Sequence, residues 1–194
     1  MARPRIQIVP TDDVLEQFGN QIAALGERSA RPAFARAINR TTDMVRTRVI
    51  RALVRQTSIP RKYLVREVKT RKMSTKASSE EAFEGIVFAK GNPIPLAAFK
   101  PAQFSWGVRA KVWGRFQRFP GAFIYAGTWK SGQPVSRGNV FVRTTKESLP
   151  IEMMFGPSIP EEMVKGESLK AYEETVLTVL PARIRHEIGR LLPQ

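Results

Sequence analysis

Apolar positions along this chain change period from helical to alternating and back again. Between Pro32 and about Gln56, Phe34, Ile38, Val45, Val49 and Leu53 recur at helical spacing, predicting an amphipathic helix of roughly 24 residues. Arg36, Arg40, Arg46, Arg48, Arg51 and Arg55 spread over its remaining surface, so the exposed side is strongly basic. Upstream, residues 5–9 (RIQIV) alternate as a short edge strand stopped by Pro10. Thr11 then caps a helix over 11–26, with Asp12 and Asp13 placed against its dipole and Val14, Phe18, Ile22 and Leu25 as its stripe. Downstream, Ser58 and Pro60 open a short helix with Tyr63, Leu64 and Val68 on one face. Residues 70–79 (TRKMSTKASS) are polar, basic and without pattern, and read as a mobile loop or linker.

From about Ala82 the period drops to two. Phe83, Ile86, Val87 and Phe88 make a strand before the Gly91-Asn92-Pro93 turn. Phe104, Trp106, Val108, Ala110 and Val112 alternate with Ser105, Gly107, Arg109 and Lys111, which predicts a single half-buried strand with two cations on its wet face. Phe116, Phe119, Phe123, Ile124, Tyr125 and Trp129 follow, punctuated by Gly121, Gly127 and Gly132. Gly138-Asn139 turns the chain into Val140-Phe141-Val142; Leu149, Ile151, Met153 and Phe155 alternate again until Gly156-Pro157 stops them. Ser158 caps the short helix that Pro160 begins. The last helix starts near Ser168, with Leu169, Tyr172, Val176, Val179, Ile184, Ile188 and Leu191 along one side, and Pro181 is expected to kink or divide it. This order predicts an α+β fold: long N-terminal amphipathic helices packed on a mainly antiparallel sheet, with a C-terminal helix. At 194 residues the chain fits one domain, with a basic helical part (1–72), a sheet (82–156) and C-terminal helices (158–194).

Composition sharpens this picture chiefly through charge. The formal net charge is +15, and the basic excess lies ahead of residue 147, beyond which acids outnumber bases. Such a field favours an anionic partner: nucleic acid, an acidic protein surface, or the acidic end of a neighbouring copy. No apolar run is long enough for a membrane helix, and MARPRIQIVP lacks the apolar core of a secretory signal, so no membrane role and a cytoplasmic site of synthesis are expected. Cysteine is absent, which removes disulfides and thiolate metal sites from consideration.

Catalytic constellations are missing from the pattern. The one histidine, His186, sits in the terminal helix beside Glu187 with no nucleophile motif elsewhere, and reads as a solvent-facing or partly packed helix residue. The carboxylate pairs Asp12-Asp13, Glu80-Glu81, Glu161-Glu162 and Glu173-Glu174 fall mostly at helix starts or exposed positions. No zinc ligand set and no phosphate-binding glycine loop occurs, so neither an enzyme nor a cofactor is expected. The helix opening at Pro60 carries Arg61, Lys62 and Arg66 but no Asn or Gln to read base edges, which argues against sequence-specific DNA recognition. Non-specific contact with genomic DNA needs only the charge. Trp106, Trp113, Phe116, Phe119 and Phe123 interleave with Arg109, Lys111, Arg115 and Arg118. That mixture can stack single-stranded bases, although alternation through Val112 favours sheet core with cations on the opposite face. The expected partner or anion interface is Arg36, Arg40, Arg48, Arg51, Arg55, Arg61 and Lys62, joined by Trp113 and Phe116 from an exposed loop.

Three sets of residues carry a family resemblance. Phe141-Val142-Arg143, Leu149-Pro150-Ile151 and the run Phe155-Gly156-Pro157-Ser158-Ile159-Pro160 resemble the C-terminal signature of the phage minor tail protein Z family. Ala37-Ile38-Asn39-Arg40-Thr41, followed by Gln56-Thr57-Ser58-Ile59, is a second match, and Gly91-Asn92-Pro93-Ile94-Pro95-Leu96-Ala97-Ala98-Phe99 is a third. The likeness spans roughly residues 30–192, and tail-completion proteins of long-tailed phages share a related pattern. It implies a structural tail-completion or neck protein at the head-proximal end of the tail, acting in head–tail joining. It further implies a homo-oligomeric, six-fold ring, partners among other tail and neck proteins, and residence in the virion after assembly in the host cytoplasm. A basic nucleic-acid-binding protein, or an assembly factor absent from the mature particle, fits the same residues.

Overall fold

The computed structural model describes residues 5–8, 27–76, 83–126 and 132–191. The order of elements is β1 (Arg5–Ile8), α1 (Glu27–Thr57), α2 (Arg61–Glu67), β2 (Val68–Arg71), β3 (Gly85–Ala89), β4 (Ala102–Phe104), β5 (Gly107–Val112), β6 (Arg115–Pro120), β7 (Tyr125–Ala126), β8 (Gln133–Pro134), β9 (Phe141–Arg143), β10 (Ile151–Met153), α3 (Ile159–Met163) and α4 (Gly166–Gly189). Helices and antiparallel strands are combined in an α+β fold, with long α1 and C-terminal α4 as its helical pair. Among the described residues the strands form four small antiparallel sheets, ordered β1-β3-β2, β4-β5-β6, β9-β10 and β7-β8. The expected helix over 11–26, Trp129 and residues 77–79 lie outside the described residues.

Helix α1 is the axis of the molecule. It begins at Glu27, ahead of Pro32, and its apolar residues Phe34, Ile38, Val45, Val49, Ile50 and Leu53 are all buried. Burial covers far more of its circumference than an amphipathic stripe requires, because α4 packs along one side and the β1-β3-β2 sheet against another. Thr41, Thr42 and Thr57 are buried too, each donating its hydroxyl to the carbonyl one turn back, so none of these three hydroxyls is stranded. Gly85 of β3 crosses α1 at Thr42: a Cβ there would sit 2.1 Å from the threonine oxygen.

α4 runs antiparallel to α1. Arg36 bonds Glu187 and Arg48 bonds Thr175, so an equal step along each helix, in opposite directions, separates the two contacts. Helix α4 passes Pro181 undivided, contrary to one expectation. The carbonyl that the proline leaves without a donor belongs to Leu177, on an exposed turn where water can serve it. Leu180, absent from the expected stripe, is buried with Ile184 and Ile188.

Two other expectations are corrected. The stretch 70–79 contributes part of β2, which pairs with β3 (Val68 opposite Ala89, Arg71 opposite Ile86). Asn39 then holds Met73 by two bonds, its amide donating to the Met73 carbonyl at 2.9 Å and accepting from the Met73 N–H at 2.8 Å. Four residues of strand are too short to declare a period, and their partner is supplied by tertiary structure. The single strand expected from Phe104 to Val112 is instead a hairpin, β4 and β5, turning at Ser105-Trp106 with Phe104 opposite Gly107. Gly107 has φ +144°, and a Cβ there would lie 2.3 Å from the Phe119 carbonyl oxygen, so only glycine fits.

Candidate functional site

Two cationic surfaces stand out, and they are built differently. On α1 the exposed positions are Arg36, Arg40, Thr47, Arg48, Arg51 and Arg55, a narrow stripe left over after the rest of the helix is buried. Arg36 pairs with Glu187 at 2.7 Å, and Arg48 donates to the Thr175 hydroxyl at 3.3 Å. Arg40, Arg51 and Arg55 make no hydrogen bond or ion pair among the described residues. Arg46 is turned inward, donating to the carbonyls of Val65 and Val68 at 2.9 Å each, where it satisfies the C-terminal end of α2. Beside the stripe, Met44 on α1 and Thr178, Val179, Ala182, Arg183 and His186 on α4 line a shallow, largely apolar groove of about 390 Å³. Arg61 and Lys62 are exposed at the start of α2, past the end of α1.

The α1 terminus is locked to the β5–β6 hairpin. Trp113 and Gly114 form the hairpin turn with φ +50° and +76°, both left-handed, as a type I′ turn demands. Ser58, just beyond α1, is also left-handed at φ +61°. Such a conformation costs a non-glycine residue about 1–2 kcal/mol, and the two are held by mutual contact. The Trp113 N–H donates to the Thr57 carbonyl at 3.1 Å and the Gly114 N–H to the Ser58 hydroxyl at 3.2 Å. The Trp113 indole N–H donates to Glu162 at 3.1 Å. Glu162, only 5% exposed, also accepts from Gln56 at 2.8 Å and from Lys165 at 3.0 Å. Burial alone would push its carboxyl up, but the bonds from Gln56, Lys165 and Trp113 outweigh that and hold it below the ordinary carboxylate range. This carboxylate was expected at an exposed helix start; it is instead the buried joint between α1, the hairpin and the start of α4.

The second surface is the outer face of β4-β5-β6. Val108, Ala110 and Val112 point inward, so Arg109 and Lys111 point out. Facing residues of a hairpin share a side, and the tight turn at Ser105-Trp106 therefore puts Phe104 on the Arg109 side, not on the Val108 side. Across the other hairpin Arg118 lies opposite Arg109 and Phe116 opposite Lys111. Rings and cations then interleave on one face. The Phe104 and Trp106 rings stack at 5.2 Å and 4°, the Arg109 guanidinium lies 5.0 Å from both the Phe104 and Phe116 ring centroids, and Arg118 lies 5.4 Å from Trp106. Phe116 is 66% exposed and Trp106 39%. The core placement expected for Trp106 is thus overturned, Phe116 is exposed as expected, and Phe119, which also falls outside the alternation, packs against the core. At the Trp106 end a recess of about 280 Å³ opens beside Phe123, over whose ring Arg143 lies at 4.6 Å.

Of the expected interface residues, Arg36 and Arg48 are engaged within the chain, and Trp113 is half spent on Glu162 although 42% exposed. Arg40, Arg51, Arg55, Arg61, Lys62 and Phe116 remain available at the surface. From sequence, Arg109 and Arg118 belong to a mixture able to stack single-stranded bases but not to the expected interface, and Phe104 and Glu162 belong to neither. Gly107 carried the one readable signal for the first three, as a turn glycine inside an otherwise unbroken alternation. Among the described residues no three acidic or histidine side chains gather as a metal site, and no helix is long and apolar enough to cross a membrane. Comparison with family models, with curated proteins and with solved structures returned no match.

Proposed function

We propose that this chain is a non-enzymatic, structural tail-completion or neck protein acting at the head-proximal end of a long phage tail, in tail assembly and head–tail joining. The observation that carries this reading is the row of Arg40, Arg51 and Arg55, solvent-facing and unpaired among the described residues, on a helix that is otherwise largely buried. A cation row on so rigid a support is suited to meeting an acidic neighbour in fixed register, where charge sets encounter rate and orientation more than affinity. The resemblance of residues 141–160, 37–59 and 91–99 to tail proteins supplies the setting. In it the partners are other tail and neck proteins and further copies of this chain in a ring, within the virion and, during assembly, in the host cytoplasm.

Charge reversal of Arg40, Arg51 and Arg55 to Glu is expected to block head–tail joining and leave the circular-dichroism spectrum unchanged. Normal infectious titre from that variant sinks the reading. Quantitative mass spectrometry of separated heads and tails should find about six copies in the tail fraction if the ring is six-fold. Absence from both fractions leaves a transient assembly factor or a DNA-binding protein. The same unpaired arginines favour that second reading, in which the chain contacts genomic DNA non-specifically with an affinity that falls steeply with salt.

A further inference from the structure

We infer that the outer face of β4-β5-β6 is a binding platform for single-stranded nucleic acid. Arg109, Lys111 and Arg118 share this face with Phe104, Trp106 and Phe116, and no carboxylate among the described residues pairs with any of the three cations. Like charges opposite one another, as Arg109 and Arg118 are, weaken a strand pair. Here each guanidinium lies over a ring, which stabilises it without consuming its N–H edge. Those edges remain free to take a phosphate oxygen in the fork geometry that arginine favours. Phe116, with Arg109 over its ring and two thirds of its surface exposed, offers a π-face to a base. At the other end Arg143 and the recess beside Trp106 extend the cationic track.

The shape of the face selects the single strand. A two-stranded ribbon can enter the major groove of a duplex tip-first. The β5–β6 tip is unavailable for this, because Trp113 and Gly114 are bonded to Thr57, Ser58 and Glu162. What remains is a short three-stranded sheet face with interleaved rings and cations, the combination that tracks an unpaired backbone while stacking its bases. An acidic protein segment would satisfy the guanidiniums but not the rings.

The test is fluorescence anisotropy of a labelled oligodeoxythymidine, about 15 nucleotides long, titrated with the full chain over a series of salt concentrations. The wild-type chain is expected to bind with an affinity that falls as salt rises. Combined Arg109→Ala and Arg118→Ala should weaken binding at least tenfold and flatten the salt slope by about 1.4, two phosphates at the single-strand coefficient. Phe116→Ala should weaken it about fivefold or more with the slope unchanged. Arg109→Lys with Arg118→Lys keeps the charge and the fold but loses the planar edge, and is expected to weaken binding at an unchanged slope. Three results each overturn the proposal: no binding, a Phe116→Ala variant as tight as wild type, or polyglutamate or duplex DNA competing as well as the oligonucleotide. Loss of binding on Arg40, Arg51 and Arg55 replacement, with the sheet variants unaffected, overturns it as well. The outcome is independent of the tail assignment, which virion composition decides.

Discussion

Along α1 the arginines Arg40, Arg51 and Arg55 extend from a buried helix into solvent, whereas on the β4-β5-β6 face Arg109 and Arg118 lie against aromatic rings. The first set is positioned by its backbone alone and keeps its side-chain freedom. The second is positioned down to the guanidinium plane. Flexible cations suit encounter and steering; stacked cations suit recognition of a planar or forked anion. The interiors beneath differ in the same sense. α1 and its neighbours are closed by Ile38, Ile50, Leu53, Ile184 and Ile188, while β5 offers only Val108, Ala110 and Val112 to the core. The outer face of β4-β5-β6 is therefore a place where side chains are free to serve a surface.

That contrast can be broken at its strongest point first. Leu53→Ala, in the fully buried flank of α1, should cost about 2–5 kcal/mol in denaturant unfolding. Phe116→Ala, at an exposed sheet position, should stay within about 0.5 kcal/mol. Similar losses at both would show that Phe116 is packed into the structure and is not a free surface side chain. Next comes Gly107→Ala, which forces a side chain onto φ +144° and against the Phe119 carbonyl. It should cost about 1–3 kcal/mol and alter the near-ultraviolet dichroism of the Phe104–Trp106 stack while sparing the helical signal.

Glu162→Gln sharpens the comparison at the joint between the halves. Loss of the charged acceptor for Gln56, Lys165 and Trp113 should cost about 1–3 kcal/mol at neutral pH. Because the folded carboxyl titrates below its unfolded value, its contribution is complete above the ordinary carboxylate pKa and is lost as pH falls through the folded one. The gap between wild type and variant should therefore narrow below about pH 4, and a gap constant from pH 7 to pH 3 would refute the assignment. The smallest effect belongs to Arg36→Ala, which removes the exposed ion pair to Glu187 and should cost about 0.2–1 kcal/mol, less at high salt. Arg40→Ala, with no partner to lose among the described residues, should change stability by less than about 0.5 kcal/mol.

The helices were legible because period and length coincide. Phe34 through Leu53 announce α1, and Ile184 and Ile188 announce the buried side of α4, since each is a repeated local signal. Among the candidate site residues the α1 arginines were legible as exposed, because a helix with one apolar side must present its charges on the other. Which of them are spoken for was not. Arg36 and Arg48 are claimed by α4, and Arg46 by α2, through contacts formed only when distant segments meet.

Sequence alone settled the α+β class, the long α1 and C-terminal α4, the mainly antiparallel strands, the edge strand β1 and the basic excess, which follow from composition, element order and local period. Tertiary structure decided three things. It paired Val68–Arg71 with β3, it buried Glu162, and it turned the chain at Ser105-Trp106 so that Phe104 and Arg109 share a face. The physical reason is common to all three. A side chain's face follows from local parity only while the strand continues, and a turn between the two residues of a pair resets that parity. A carboxylate's burial, likewise, depends on donors more than a hundred residues away, as Gln56 is from Glu162.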